Sequence, residues 1–287
     1  MKDNKSFNTY QTPSWCPGCG NFGIWYALKN AFTELNFDNS DVCMVFGIGC
    51  SGNLSNFLKV YGFHGIHGRT LPVASGIRLA NHSLNVIATS GDGDGLGIGL
   101  GHFIHTCRRN IDITYIIHDN RVYGLTTGQT SPTSPTGFQS KSTPFGVIEE
   151  PINPLALAII QGATFVARGY SGEIEHLSSL IVQAVKHKGF SVIDVLQPCV
   201  TFNPNYSYPF YNHRVYKLED IGHNPEDKEK AISYALDYGD KIPIGVFYRV
   251  SKPTYEDKSE ELKDKPLAEY DILDISISDL IEEIRES

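Results

Sequence analysis

The chain has no apolar run approaching the ~18–20 residues of a membrane span. Its first residues, MKDNKSFNTYQTPSW, lack the apolar core of a secretory signal. It also lacks an excess of positive charge: 24 Lys and Arg stand against 32 Asp and Glu, a formal net charge of −8. That excludes a general binder of nucleic acid or of anionic membrane, because both need clustered cations. There is no G-x-x-x-x-G-K-[ST], which excludes a Walker phosphate loop. No Asp or Glu occurs between Val42 and Gly91, a stretch that therefore suits an anionic ligand by avoiding like-charge repulsion. These absences predict a cytoplasmic protein whose thiols stay reduced. Its six cysteines are then better suited to metal binding or catalysis than to disulfides.

What is there alternates. Apolar, β-branched runs predict strands at Val42–Phe46, Val86–Thr89, Ile113–His118, Thr164–Ala167 and Phe190–Leu196. Helical patterns lie at Gly23–Leu35, Ala74–Asn81, Gly97–Arg108, Leu155–Ile160 and Glu173–Lys188. This alternation predicts an α/β fold with a parallel sheet flanked by helices. Residues 124–153 show no period and read as a long functional loop. Past residue 202 the composition changes to Asn, Tyr, Pro and His, then to a charged stretch. Residues 203–287 therefore read as a C-terminal extension that wraps the core or meets a partner, closing on one amphipathic helix in ILDISISDLIEEIRES.

Two glycine-rich segments compete for a phosphate ligand. GIGCSG, residues 47–52, fits G-x-G-x-x-G, but the acidic residue that a dinucleotide site needs about 20 positions on is absent. SGDGDGLGIGLGHF, residues 90–103, follows a strand and leads into a helix. Asp92 ends one strand and Asn120 ends the next, 28 positions on. A right-handed crossover brings such strand ends together. The two side chains then offer hard oxygen ligands of the kind Mg²⁺ shares with phosphates.

Cys16 and Cys19 form a C-x-x-C pair, Cys50 lies in GIGCSG, and Cys199 follows the last predicted strand. Four thiolates suit a [4Fe–4S] cluster, and ligand spacing alone leaves zinc equally open. A thioredoxin-like dithiol lacks its β-α-β setting here. Cys43 and Cys107 read as buried small hydrophobes.

GDGDG…DNRVYG resembles the thiamine diphosphate motif. With WCPGCG, GIGCSG, HGR, YGLTTGQTSPT and LQPC, the chain resembles the β subunit of 2-oxoacid:ferredoxin oxidoreductases over roughly residues 14–202. The resemblance implies a thiamine diphosphate-binding fold over residues 1–202, with Cys16, Cys19, Cys50 and Cys199 holding one [4Fe–4S] cluster. Mg²⁺ would take Asp92, Asn120 and the carbonyl of Val122. The cofactor would meet Ile48, Gly49, Cys50, Ser51, His67, Gly93, Asp94, Gly124 and Leu125.

The implied reaction is 2-oxoacid + CoA + oxidised ferredoxin → acyl-CoA + CO₂ + reduced ferredoxin. The Glu that activates the thiamine ring belongs, by the same resemblance, to an α subunit, so an obligate α/β pair is expected. Asn53 and Thr127 are the substrate-pocket candidates; family members often carry Lys at the position of Thr127, and some at that of Asn53. A Lys there would pair with an anionic group, so its loss sets this chain apart from the usual substrate assignment; the expected order is 2-oxoglutarate or broad 2-oxoacid use, then pyruvate, then branched-chain acids. The rival readings are a non-redox thiamine enzyme half and a zinc-stabilised scaffold subunit.

Overall fold

The computed structural model describes residues 4–271 and 277–286. The strands among them are β1 (Val42–Phe46), β2 (Tyr61–His64), β3 (Asn85–Gly91), β4 (Thr114–Asp119), β5 (Val122–Tyr123), β6 (Gln129–Thr130), β7 (Phe165–Tyr170), β8 (Ser191–Leu196), β9 (Val215–Lys217) and β10 (Ile242–Arg249). Eight form one sheet in the order β2-β1-β3-β4-β8-β7-β10-β9. All neighbours in it are parallel except β7 and β10. β5 and β6 make a separate antiparallel ribbon.

The apolar strands β1, β4, β7 and β8 are buried at every position, because helices cover both faces. Along β1, Val42, Met44 and Phe46 point into a core shared with α1 (Asn21–Glu34) and α5 (Ile174–Lys186). Val45 points the other way, as do Ala88, Tyr115 and Ile117 on the neighbouring strands. They meet α2 (Thr70–Ala80), α3 (Leu100–Arg109), α4 (Pro154–Gln161) and α7 (Lys228–Leu236). α6 (Tyr208–Asn212) joins a small aromatic core at the end of β7 and β8. α8 (Tyr255–Lys258) is tied down by Arg78, which pairs with Glu256 at 2.9 Å and with Asp112 at 2.8 Å. No helix among the described residues is long and apolar enough to cross a membrane.

The expected α/β architecture is present, with differences that have physical causes. The sheet is mixed, since β10 runs antiparallel to β7. Residues 203–287 contribute β9 and β10 to this same sheet, so this segment completes the core as well as following it. α2 begins four residues before the expected Ala74, because Pro72 lies in its first turn, where a missing N–H costs nothing. The expected helix from Gly97 starts at Leu100, after a π-type turn over Asp94–Ile98 in which Gly97 is not helical. Of the expected terminal helix, α9 spans Ile277–Glu286, and residues 272–276 and 287 lie outside the described residues.

The glycines after Cys19 let α1 sit against the strand ends. A Cβ on Gly23 would lie 2.0 Å from the Ser171 carbonyl oxygen, and one on Gly20 would lie 2.8 Å from Pro198 Cδ. Gly20 N–H donates to the Pro198 carbonyl at 3.0 Å. This contact seats the C-x-x-C pair beside Cys199. Gly23→Ala is expected to lower stability by about 1–3 kcal/mol, the usual cost of overpacking. Gly76→Ala, on the exposed side of α2 with open space around it, is expected to raise stability by about 0.5–1 kcal/mol. Denaturant midpoints of both variants beside the parent check this; equal midpoints for the two sink the close-packing account.

Candidate cofactor and cluster site

The carboxyl ends of β1, β3, β4 and β8 open on one rim of the sheet, where open α/β sheets bind ligands. Two adjoining cavities lie there. The first, about 280 Å³, is lined by Ile48, Gly49, Cys50, Ser51, His67, Asp92, Gly93, Asp94, Asn120, Val122, Gly124 and Leu125. All nine cofactor candidates and all three magnesium candidates from the sequence are therefore brought together. The second, about 170 Å³, is lined by Cys16, Cys19, Cys50 and Cys199, with Trp15, Val200 and Phe202 among its apolar walls. Cys50, Asn120, Gly124 and Leu125 line both cavities. Asn53 lines the thiol cavity, whereas Thr127 lines neither and sits in the β5–β6 turn with φ +79°.

Asp92 is 1% exposed. Its Oδ2 accepts from Ser131 Oγ at 2.5 Å and from Thr133 Oγ1 at 2.6 Å. Burial and then repulsion from Asp119 push its carboxyl up to about 7, despite those donors. A carboxylate this short of positive charge fits a divalent cation. Asn120 is oriented to match: its Nδ2 donates to Gln197 Oε1 at 2.8 Å, and its Oδ1 accepts from Val122 N at 3.0 Å. Asp94 plays a different part. It accepts from Gly68 N at 2.7 Å and lies 2.7 Å from His67 Nδ1, so it fixes the loop that carries His67. Ser51 Oγ is buried with no partner among the described residues, an orphaned hydroxyl on the floor of the first cavity.

Three contributors are not among the site residues expected from the sequence. Ser131 and Thr133 come from the long loop, where the one hint is a hydroxyl-rich TSPT run. His118 lines the first cavity from β4, between Thr89 Oγ1 and Asn21 Oδ1, each at 2.8 Å. Burial lowers its pKa to about 3, so it is neutral.

The thiols are held in an equally unbalanced state. Burial raises Cys19 to about 12 and Cys50 to about 11, and Cys199 and Cys16 add to both shifts. Cys199 is raised as well, although the backbone N–H groups of Phe202, Thr201 and Asn203 point at its sulfur. A Cβ on Gly124 would lie 3.6 Å from Cys199 Sγ and 3.7 Å from Cys50 Sγ, so glycine there keeps the cavity between them open. Among the described residues, no group of three or more His, Cys, Asp or Glu side chains is placed to hold a metal ion. Cys43 lies in β1 and Cys107 in α3, away from both cavities.

Residues 47–195 match the family model of the thiamine pyrophosphate enzyme, C-terminal TPP binding domain. Residues 199–264 match that of the C-terminal part of the pyruvate ferredoxin oxidoreductase beta subunit. The chain is 50% identical over 264 residues to 2-oxoacid:ferredoxin oxidoreductase 1, subunit beta, of Aeropyrum pernix, which covers 88% of this chain and 83% of that relative. It is 37% identical over 249 residues to the KorB protein of the 2-oxoglutarate synthase of Archaeoglobus fulgidus, covering 87% and 89%. The 2-oxoglutarate:ferredoxin oxidoreductase of Magnetococcus marinus, solved with 2-oxoglutarate, coenzyme A and succinyl-CoA bound, superposes with a TM-score of 0.90. That match is 35% identical and covers 98% of this chain and 95% of the other. The chain thus belongs to the β subunits of the 2-oxoacid:ferredoxin oxidoreductases, enzymes in which this subunit acts within a complex.

Proposed function

We propose that this chain holds thiamine diphosphate, Mg²⁺ and one [4Fe–4S] cluster, and that with an α subunit it converts a 2-oxoacid and CoA to acyl-CoA and CO₂ while reducing ferredoxin. The observation that carries the proposal is the pair of cavities sharing Cys50, Asn120, Gly124 and Leu125, which sets cofactor and cluster side by side. When bound, the thiazolium ring supplies an electron sink for the decarboxylation. Asp92, Asn120 and the Val122 carbonyl would hold the metal. Ser51 Oγ and the backbone at Gly49 and Gly93 would meet the diphosphate, and His67, Asp94, Ile48 and Leu125 would line its pocket. Cys16, Cys19, Cys50 and Cys199 would hold the cluster; a 170 Å³ cavity bordered by four thiols has room for more than one ion, which supports iron–sulfur over zinc.

Among the described residues no Glu lines the first cavity, which supports placing the activating carboxylate on the α subunit. The proposed substrate order is 2-oxoglutarate or broad 2-oxoacid use, then pyruvate, then branched-chain acids, and the likeness to subunits of 2-oxoglutarate synthase and 2-oxoglutarate:ferredoxin oxidoreductase supports it. Residues 1–202 carry every proposed ligand, and residues 203–287 act as their brace. The setting of this chemistry is the cytoplasm, where thiols stay reduced.

Anaerobic co-purification with the α partner tests the cluster. About four irons and four acid-labile sulfides per α/β pair are expected, with a brown absorption that bleaches on adding 2-oxoacid and CoA. Zinc without iron overturns the redox half of the proposal. The chain purified without its partner is expected to show no decarboxylation; robust turnover by it alone overturns the shared site.

A second expectation concerns the metal. Asp92→Asn is expected to weaken Mg²⁺-dependent retention of thiamine diphosphate at least about 100-fold, and Thr133→Val about tenfold, since it removes a ligand's support and not the ligand. Isothermal titration of the complex reads both. Parent-like affinity in Asp92→Asn removes Asp92 from the metal site.

A further inference from the structure

Gln197 joins the two cavities through one side chain. It lies just past β8 and is 1% exposed. Its Oε1 accepts from Asn120 Nδ2 at 2.8 Å. Its Nε2 donates to Cys19 Sγ at 3.4 Å and to the Pro198 carbonyl at 2.8 Å. Its backbone N–H donates to Asp119 O at 2.9 Å, which extends the β4–β8 ladder and fixes where the side chain starts. The amide orientation is unambiguous: one end faces a donor, the other faces a sulfur and a carbonyl oxygen. Flipping it would set oxygen against both acceptors and strand Asn120.

We infer that Gln197 is a positioning residue for both cofactors, tuning the cluster through Cys19 and holding Asn120 in the orientation that magnesium needs. The inference rests on the proposed cluster and metal. A hydrogen bond to a ligand sulfur stabilises the more negative, reduced cluster, so its loss moves the reduction potential down. At the other end, Asn120 has two ways to sit. With Nδ2 committed to Gln197, Oδ1 keeps its bond from Val122 N and a second lone pair for a cation. Without Gln197 the amide is free to turn its nitrogen to the metal. One buried carboxamide thus acts on both the electron acceptor and the metal that anchors the cofactor.

The test uses the anaerobic α/β complex and a redox titration followed by electron paramagnetic resonance. Gln197→Leu is expected to keep parent levels of iron and sulfide. Its cluster potential is expected to fall by about 59 mV, a tenfold change in the one-electron equilibrium. It is also expected to retain thiamine diphosphate and Mg²⁺ about tenfold less tightly. An intact cluster at the parent potential overturns the inference, whatever happens to cofactor affinity. Gln197→Met keeps the side-chain length without a donor and is expected to behave as Gln197→Leu does. Should either variant lose the cluster, the parent itself decides. Grown on side-chain-¹⁵N glutamine, the reduced complex is expected to show a ¹⁵N coupling by electron–nuclear double resonance, and its absence overturns the bond to Cys19. Absence of iron from the parent complex is a separate failure, of the reading of the four cysteines, and is seen before any variant is compared.

Discussion

The structure depends on a carboxylate held out of water without a counter-charge. Asp92 lies beside Asp119, and both are buried. Thr133 Oγ1 sits between them, 2.6 Å from Asp92 Oδ2 and 2.9 Å from Asp119 Oδ1. A hydroxyl has one proton to give, so it satisfies one of the two and not both. With both acids ionised, one contact becomes lone pair against lone pair. Burial raises both carboxyls, repulsion from Asp119 adds to the rise at Asp92, and Arg121 and Arg168 offset the rise at Asp119 only in part. A divalent cation on the Asp92 side would balance the charge of Asp92 and leave the Thr133 proton to Asp119. The acid-free stretch from Val42 to Gly91 fits the same logic: no further negative charge is added to a rim that already has too much.

The thiol cavity meets a similar problem with different means. Among the described residues nothing cationic lines it, so what the protein itself offers anionic sulfur is dipoles. Cys199 is ringed by three backbone N–H groups, and Cys19 receives the Asn21 N–H at the start of α1. Such donors cost no reorganisation when charge arrives. The Asn21 donor exists only because α1 starts where it does, and that start is set by Gly20 and Gly23 packing against Ser171 and Pro198. The glycines of the C-x-x-C segment are therefore spacing devices: remove the close approach, and Cys16 and Cys19 move away from Cys199.

Much of this was legible in the sequence, for physical reasons. β1, β4, β7 and β8 stand out because strands buried on both faces must be apolar throughout. The GDG turn and the Asn that ends the next strand are legible because a parallel sheet brings consecutive crossover ends to one rim. Less legible were β2 and β9. β2 is exposed at all four positions and β9 is half-buried throughout, so neither has an alternating pattern. β10 is apolar enough to be found, but its direction depends on what precedes it, which no local pattern encodes. Thr127 shows the limit at the site: it sits in the right motif, yet its positive φ turns the chain so that Thr126 lines the cavity in its place.

The last third of the chain then has a physical role. Arg121 stands between Asn120 and Val122 with φ +62°, a conformation that costs a non-glycine residue about 1–2 kcal/mol. Its guanidinium lies 3.8 Å from the ring centre of Tyr238 and 4.8 Å from that of Tyr206. Desolvated stacking of this kind is worth about 2 kcal/mol, enough to offset the strain. Asn203 adds a bond from its Nδ2 to the Asn120 carbonyl at 2.9 Å, while its own N–H donates to the Cys199 carbonyl. Tyr206, Tyr238 and Asn203 all lie past residue 202. Without them the left-handed turn at Arg121 keeps only its hydrogen bonds with Asp119 Oδ1 and Ser134 Oγ, and the loop that aims Asn120 and the Val122 carbonyl is less firmly held. β9 and β10, which extend the sheet, belong to the same part of the chain as these bracing residues. The turn at residues 119–122, Cys199 and the bracing residues past 202 are for that reason one mechanical unit, built outward from a strained arginine.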